Sequence, residues 1–178
     1  MDLRVNHILS ESLANGPGRR YTLWVQGCSI RCPGCSNKDT WDQKAGLIMP
    51  FEDIVSDINK NKSLDGVTIT GGEPLDQFYA VSYLCSRLYG QISLFLTTGY
   101  TMGQIEEKGY EGIFKLADIL CVGPFDPALV CSGQWRGSSN QEIIYLTDLG
   151  RKQSKMPVVS KEIHINTQGN ALETGFTV

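Results

Sequence analysis

The chain has 178 residues, 41% hydrophobic and 20% charged, enough for one well-cored domain and short for two. Sixteen basic against 19 acidic residues give a net charge of −3, which offers no general attraction to nucleic acid or to an anionic membrane surface. No apolar run approaches a membrane span and "MDLRVNHILSESLANG" lacks a signal-peptide core, so a cytoplasmic protein is expected, whose six cysteines serve metal binding or catalysis rather than disulfides.

In chain order, "YTLWVQ" (21–26) reads as the first strand. "MPFEDIVSDINKNK" follows as a helix, with Phe51, Ile54, Val55 and Ile58 on one face and Pro50 near its start. "GVTIT" (66–70) is a second strand. Val81, Leu84, Cys85 and Leu88 then keep the spacing of an amphipathic helix. "ISLFLTT" (92–98) has the near-continuous apolar pattern of a strand buried on both faces. Thr101 and Gln104 predict a capping box on a helix running toward Leu116. "DILCV" (118–122) and "EIIYLT" (142–147) supply two more strands, and "DLGRKQSKMPVVSK" reads as a polar loop. The tail "EIHINTQGNALETGFTV" predicts a hairpin turning near Gln168–Asn170, with His164 facing solvent between Ile163 and Ile165. The expected organisation is one domain over 1–178, with a core over about 15–147, a loop over 148–160 and an extension over 161–178.

Strand–helix alternation of this kind predicts an α/β domain with a mostly parallel sheet, and such sheets hold ligands at the carboxyl ends of their strands. Every unusual stretch falls there. Gly27–Cys35 ("GCSIRCPGC") follows the first strand, "GGEP" (71–74) the second, "TGY" (98–100) the third and "VGPF" (122–125) the fourth.

Cys28, Cys32 and Cys35 are spaced C-x3-C-x2-C, and Pro33 and Gly34 favour the tight turn that brings three thiolates to a common centre. Three cysteines leave one iron of a [4Fe–4S] cluster without a protein ligand, an open position of the sort that binds and activates substrates. A structural zinc knuckle or plain buried thiols are the alternatives; zinc would need a fourth ligand, and His7 and His164 are remote in sequence. Cys85, Cys121 and Cys131 read as buried or incidental.

The cysteine triplet followed some forty residues later by "GGEP" resembles the radical S-adenosylmethionine (SAM) enzymes. "NGPGRRYTLWVQGCSIRCPGCSNKDTW" (15–41), "TGY" and "WRGSSNQ" (135–141) narrow the likeness to the anaerobic ribonucleotide reductase activating proteins, covering most of the chain to about Gln141. The resemblance implies a partial (β/α) barrel of the radical SAM type. It implies a [4Fe–4S] cluster on Cys28, Cys32 and Cys35 and SAM completing its coordination. Gly71, Gly72, Glu73 and Pro74 would form the SAM methionyl site, with Thr98 and Gly99 as ribose or carboxylate neighbours. Arg136, Ser138 and Asn140 would line the pocket or order its rim, unless they merely satisfy backbone groups in a loop. The position before the third cysteine is aromatic in most of the superfamily and is Gly34 here, so Tyr100 and Trp41 are the candidates for adenine stacking. Where the family commonly reads "DGPF", this chain has Val122 before Gly123-Pro124-Phe125. The implied reaction installs a glycyl radical on the large reductase subunit or another glycyl-radical protein, with an electron donor such as flavodoxin or ferredoxin. A radical SAM enzyme modifying a peptide or small molecule, and a non-catalytic iron–sulfur or zinc module, are the competing readings. The tail extends past the smallest family members as an extra sheet edge or a docking strand for a peptide.

Overall fold

The computed structural model describes residues 2–165 and 167–176. Nine strands are present among them: β1 (Asp2–Ser12), β2 (Arg20–Val25), β3 (Leu47–Pro50), β4 (Gly66–Gly71), β5 (Ser93–Thr98), β6 (Ile119–Val122), β7 (Glu142–Tyr145), β8 (Glu162–Ile165) and β9 (Ala171–Thr174). The helices are α1 (Phe51–Lys60), α2 (Phe78–Leu88), α3 (Met102–Glu107) and α4 (Asp148–Gln153). Seven strands form one sheet in the order β3-β1-β2-β4-β5-β6-β7. Its centre, β2-β4-β5-β6, is parallel, while β1, β3 and β7 pair antiparallel at the edges.

Alternation along the central strands explains why helices cover one face and a cavity opens on the other. Tyr21, Leu23, Val25, Val67, Ile69, Leu94, Leu96, Leu120 and Val122 point to one side and pack with Ile54 and Ile58 of α1, Val81, Leu84 and Leu88 of α2 and Ile105 of α3. The opposite face carries Trp24, Thr68, Thr70, Thr97 and Cys121, which border a cavity, with Phe95, Ile119 and Trp135 forming a smaller cluster beside it. Covered outside and open within, the sheet has the character of an incomplete barrel, as expected. The ISLFLTT strand is buried on both faces because Leu94 and Leu96 meet the helices while Phe95 meets the second cluster.

Several details differ from the sequence reading. The strand at 21–26 is second, not first: β1 precedes it and lies between β3 and β2, its alternation broken by the irregular register near His7. The helix expected to reach Leu116 stops at Glu107, although its Thr101–Gln104 capping box forms; a 3-10 turn over Glu111–Lys115 follows. The polar stretch after Leu146 is not all loop. It contains α4, started by the Thr147 hydroxyl accepting from Gly150 N, and buries Gln153.

The tail forms the expected hairpin, with Ile165 opposite Ala171, but β8–β9 is a separate two-stranded sheet and extends no edge of the main one. Its faces are reversed from expectation. Ile163 and Ile165 are 59% and 71% exposed, while His164 is half-buried beside Glu162. Glu162 decides this. Its carboxylate accepts from Leu13 N and Ala14 N, each at 2.9 Å, and from the Ser12 hydroxyl, pulling its own face of the hairpin inward.

Arg20 holds the centre. Fully buried, its guanidinium donates to Thr68 Oγ1 (2.7 Å) and to the carbonyls of Val67 (2.6 Å), Ser93 (3.0 Å) and Pro17 (3.2 Å). Burial lowers its pKa to about 9 against the pull of Asp118 and Asp65, which leaves it charged at neutral pH. It thereby pins the Asn15–Gly18 loop to the sheet.

Candidate functional site

The loops after β2, β4, β5 and β6 meet around one cavity of about 610 Å³. Cys28, Cys32 and Cys35 border it, as do Gly71, Gly72, Glu73, Thr98, Gly99, Gly123 and Phe125. Parallel strands with their carboxyl ends level with one another bring these distant stretches together.

The cysteine loop turns through two left-handed residues, Arg31 (φ 53°) and Gly34 (φ 73°). A side chain at Gly34 would press within 3.0 Å of Pro127 Cβ. Backbone N–H groups face the sulfurs: Arg31 N lies 3.5 Å from Cys28 Sγ and Asn37 N lies 3.4 Å from Cys35 Sγ. Burial pushes the Cys28 and Cys32 thiols up, while backbone N–H groups, those of Arg31 and Ile30 at Cys28 and that of Phe125 at Cys32, draw them down. Three thiols on one cavity, met by N–H donors that stabilise thiolate, suit a cluster of several irons. Among the described residues no three His, Cys, Asp or Glu side chains close on a point fit for a single metal ion.

The Gly71–Pro74 turn grips this loop. Gly72 N donates to Val25 O (2.9 Å) and Glu73 N to Gly27 O (2.8 Å). A Cβ at Gly72 would stand 2.1 Å from Gly27 O, so glycine is required by the approach of the two chains. Glu73, 1% exposed, ties the turn to β5: Oε1 accepts from Leu75 N (2.9 Å) and Thr98 Oγ1 (2.7 Å), and Oε2 from Gly99 N (2.8 Å). Burial raises its pKa to about 7 against those three bonds. Pro74, itself buried, opens a 3-10 turn behind the cavity and does not line it.

Tyr100 also stands behind the wall. Its hydroxyl donates to Asp76 Oδ1 (2.9 Å), which also accepts from the Ser29 hydroxyl (2.8 Å), so the ring braces the cysteine loop, while Trp41 does border the cavity. Arg136, Ser138 and Asn140 fold the rim and stay out of the cavity lining. Arg136 Nη1 donates to Gln141 O (2.5 Å), Ser138 Oγ accepts from Asp126 N (3.1 Å) and Asn140 Nδ2 donates to Pro124 O (2.8 Å). Their neighbours Gly137 and Gln141 border the cavity. Gln141 bridges the rim by accepting from Gly137 N (2.9 Å) and donating to Gly123 O (2.9 Å). Its place in "WRGSSNQ" was the only sequence signal for it. Cys121, read as incidental, lines the cavity, as do Thr174, Gly175 and Phe176 from the tail, whose role no local pattern announces.

Residues 14–144 match the family model of the 4Fe-4S single cluster domain. That places the chain in the class of iron–sulfur proteins which the three-thiol cavity suggests. Among curated relatives, the anaerobic ribonucleoside-triphosphate reductase-activating protein of Salmonella typhi is 32% identical over 160 residues, covering 81% of this chain and 99% of the relative. The proteins of the same name from Escherichia coli K12 and Pasteurella multocida are 33% and 36% identical, each over 75% of this chain and 93% and 90% of the relative. The chain belongs to the anaerobic ribonucleoside-triphosphate reductase-activating protein family. Among solved structures, QueE from Escherichia coli matches with a TM-score of 0.45 at 20% identity, over 57% of this chain and 54% of that one. Among the described residues no helix is long and apolar enough to cross a membrane.

Proposed function

We propose that this protein activates an anaerobic ribonucleoside-triphosphate reductase by installing a glycyl radical, using a [4Fe–4S] cluster and SAM. The observation that carries this reading is the meeting of Cys28, Cys32 and Cys35 with the Gly71–Glu73 turn on one cavity, in a chain of the activating-protein family. When bound, a [4Fe–4S] cluster would supply the electron for reductive cleavage of SAM, the chemistry that yields a glycyl radical on the reductase. Cys28, Cys32 and Cys35 hold the cluster.

Glu73 serves the amino group of SAM. A carboxylate offers about four acceptor positions, and three are filled by Leu75, Thr98 and Gly99. The one left is on Oε2, and Glu73 borders the cavity. Gly71 and Gly72 let backbone approach closely, Thr98 and Gly99 fix Glu73, and Trp41 offers an aromatic face for adenine. Pro74, Tyr100, Arg136, Ser138 and Asn140 act as positioning residues that hold the walls. The electron comes from a donor of the flavodoxin or ferredoxin kind, and the protein works in the cytoplasm.

The test is anaerobic reconstitution with iron and sulfide, addition of SAM and dithionite, and chromatography for 5′-deoxyadenosine. Adding the reductase should then give a glycyl radical by electron paramagnetic resonance. Failure to form 5′-deoxyadenosine would overturn the activity, and its formation without a glycyl radical would overturn the target.

A further inference from the structure

The tail is outside the family match at 14–144, yet it borders the same cavity. Thr174, Gly175 and Phe176 stand against the open face of the sheet. The Phe176 ring packs against the cluster formed by Phe95, Ile119, Cys121 and Trp135. Because β8–β9 shares no ladder with the main sheet, side chains hold it in place. Glu162 accepts from Ser12, Leu13 and Ala14, Thr174 Oγ1 accepts from Asn15 Nδ2 at 3.0 Å, and Phe176 fills the apolar notch.

A cavity of about 610 Å³ is the size that accommodates one small-molecule ligand, typically about 300–1,000 Å³. The function proposed above, on which this inference rests, asks it to hold a cluster, a nucleoside and a segment of polypeptide together. One wall must yield, and the wall joined to the sheet through side chains is the one built to do so. We propose that the strands Glu162–Ile165 and Ala171–Thr174, with Gly175 and Phe176, form the substrate-side wall of the site. Latched through Glu162, they close the cavity around the small cosubstrate. Released, they open the strip Thr68, Thr70, Thr97 and Cys121 to a polypeptide segment of the partner.

The chain carries its own reporters. Cys121 belongs to the cluster that Phe176 packs against, whereas Cys85 is equally buried among the helices on the opposite face of the sheet and Cys131 is partly exposed in the rim. The experiment alkylates the cluster-loaded full-length protein with iodoacetamide and reads each cysteine by peptide mass spectrometry, for the wild type, Glu162→Ala and Phe176→Ala. The wall predicts that labelling of Cys121 relative to Cys131 rises about tenfold or more in Glu162→Ala, with Cys85 still protected and iron content unchanged. Unchanged Cys121 labelling in both variants overturns it. So does a parallel rise at Cys85, which would make the tail a general stabiliser of the fold. At equal iron content, Glu162→Ala should also raise the initial rate of glycyl-radical formation on the reductase severalfold, and an unaltered rate beside an exposed Cys121 overturns the role in admission. If the wild type cleaves SAM without producing any glycyl radical, the proposed target is wrong and the labelling still judges whether the wall opens.

Discussion

Replacing Glu73 with glutamine tests the centre of the site. The carboxylate receives two donors on Oε1 and one on Oε2, leaving one acceptor position, which the proposed function assigns to the amino group of SAM. Glutamine has a single carbonyl oxygen. Keeping it at Oε1 sets the amide nitrogen against Gly99 N, so that two donors face each other across the 2.8 Å spanned by a hydrogen bond in the wild type, and SAM meets a donor instead of an acceptor. A hydrogen bond to a charged group contributes about 1.5–3 kcal/mol, so the affinity for SAM should fall about 10- to 150-fold. The pH dependence gives a second, independent reading. With a pKa of about 7, the ionised fraction of Glu73 in the SAM-free protein grows roughly tenfold between about pH 6 and pH 8. Affinity in the wild type should therefore rise by up to about tenfold over that range, beyond any change shared with the glutamine variant. Folding responds in the opposite sense. A raised carboxyl pKa stabilises the fold fully below the ordinary carboxylate range, and that contribution is lost as pH rises through about 7. Equilibrium dialysis of SAM against anaerobically reconstituted protein at three pH values is the assay. Equal affinity in both proteins, or the same pH slope, would refute the reasoning.

Three further outcomes are expected. Cys32→Ala should abolish the visible absorbance of the cluster, and normal iron and sulfide loading in that variant would refute the ligand assignment. Gly72→Ala drives a methyl group to within 2.1 Å of Gly27 O, a backbone atom that cannot swing aside, so iron loading should fall sharply; full loading would show that the two loops do not need this approach. Arg20→Ala removes five buried hydrogen bonds, to the Thr68 hydroxyl, three carbonyls and the Gln153 amide oxygen, together with the volume of the side chain, and should cost about 3–5 kcal/mol, or roughly 6–20 °C in melting temperature. A melting temperature within about 2 °C of the wild type would show that the network is dispensable.

The parts of this protein legible in its sequence are those written in short-range pattern. Thr101 and Gln104 form their capping box; Val81, Leu84, Cys85 and Leu88 all enter the core; the four unusual loops gather on one rim. Periodicity and strand order carry such information because helix faces and the polarity of a parallel sheet follow from backbone geometry alone. Strand β1 escaped because its alternation breaks where the register shifts, and α4 because a six-residue helix with Leu149 as its one large apolar residue carries no apolar stripe.

The sequence by itself determined the three thiols, the glycine-rich turn that meets them and the helix-covered face of the sheet. Only the tertiary structure decided that Tyr100 and Arg136 brace walls rather than line the cavity, that Glu73 keeps one acceptor position in hand, and that the tail reverses its faces and borders the site. Those outcomes depend on hydrogen-bond partners far apart in the chain, such as Glu162 with Ser12, Leu13 and Ala14. A local pattern cannot encode a partner about 150 residues away, because proximity there is set by the packing of everything between.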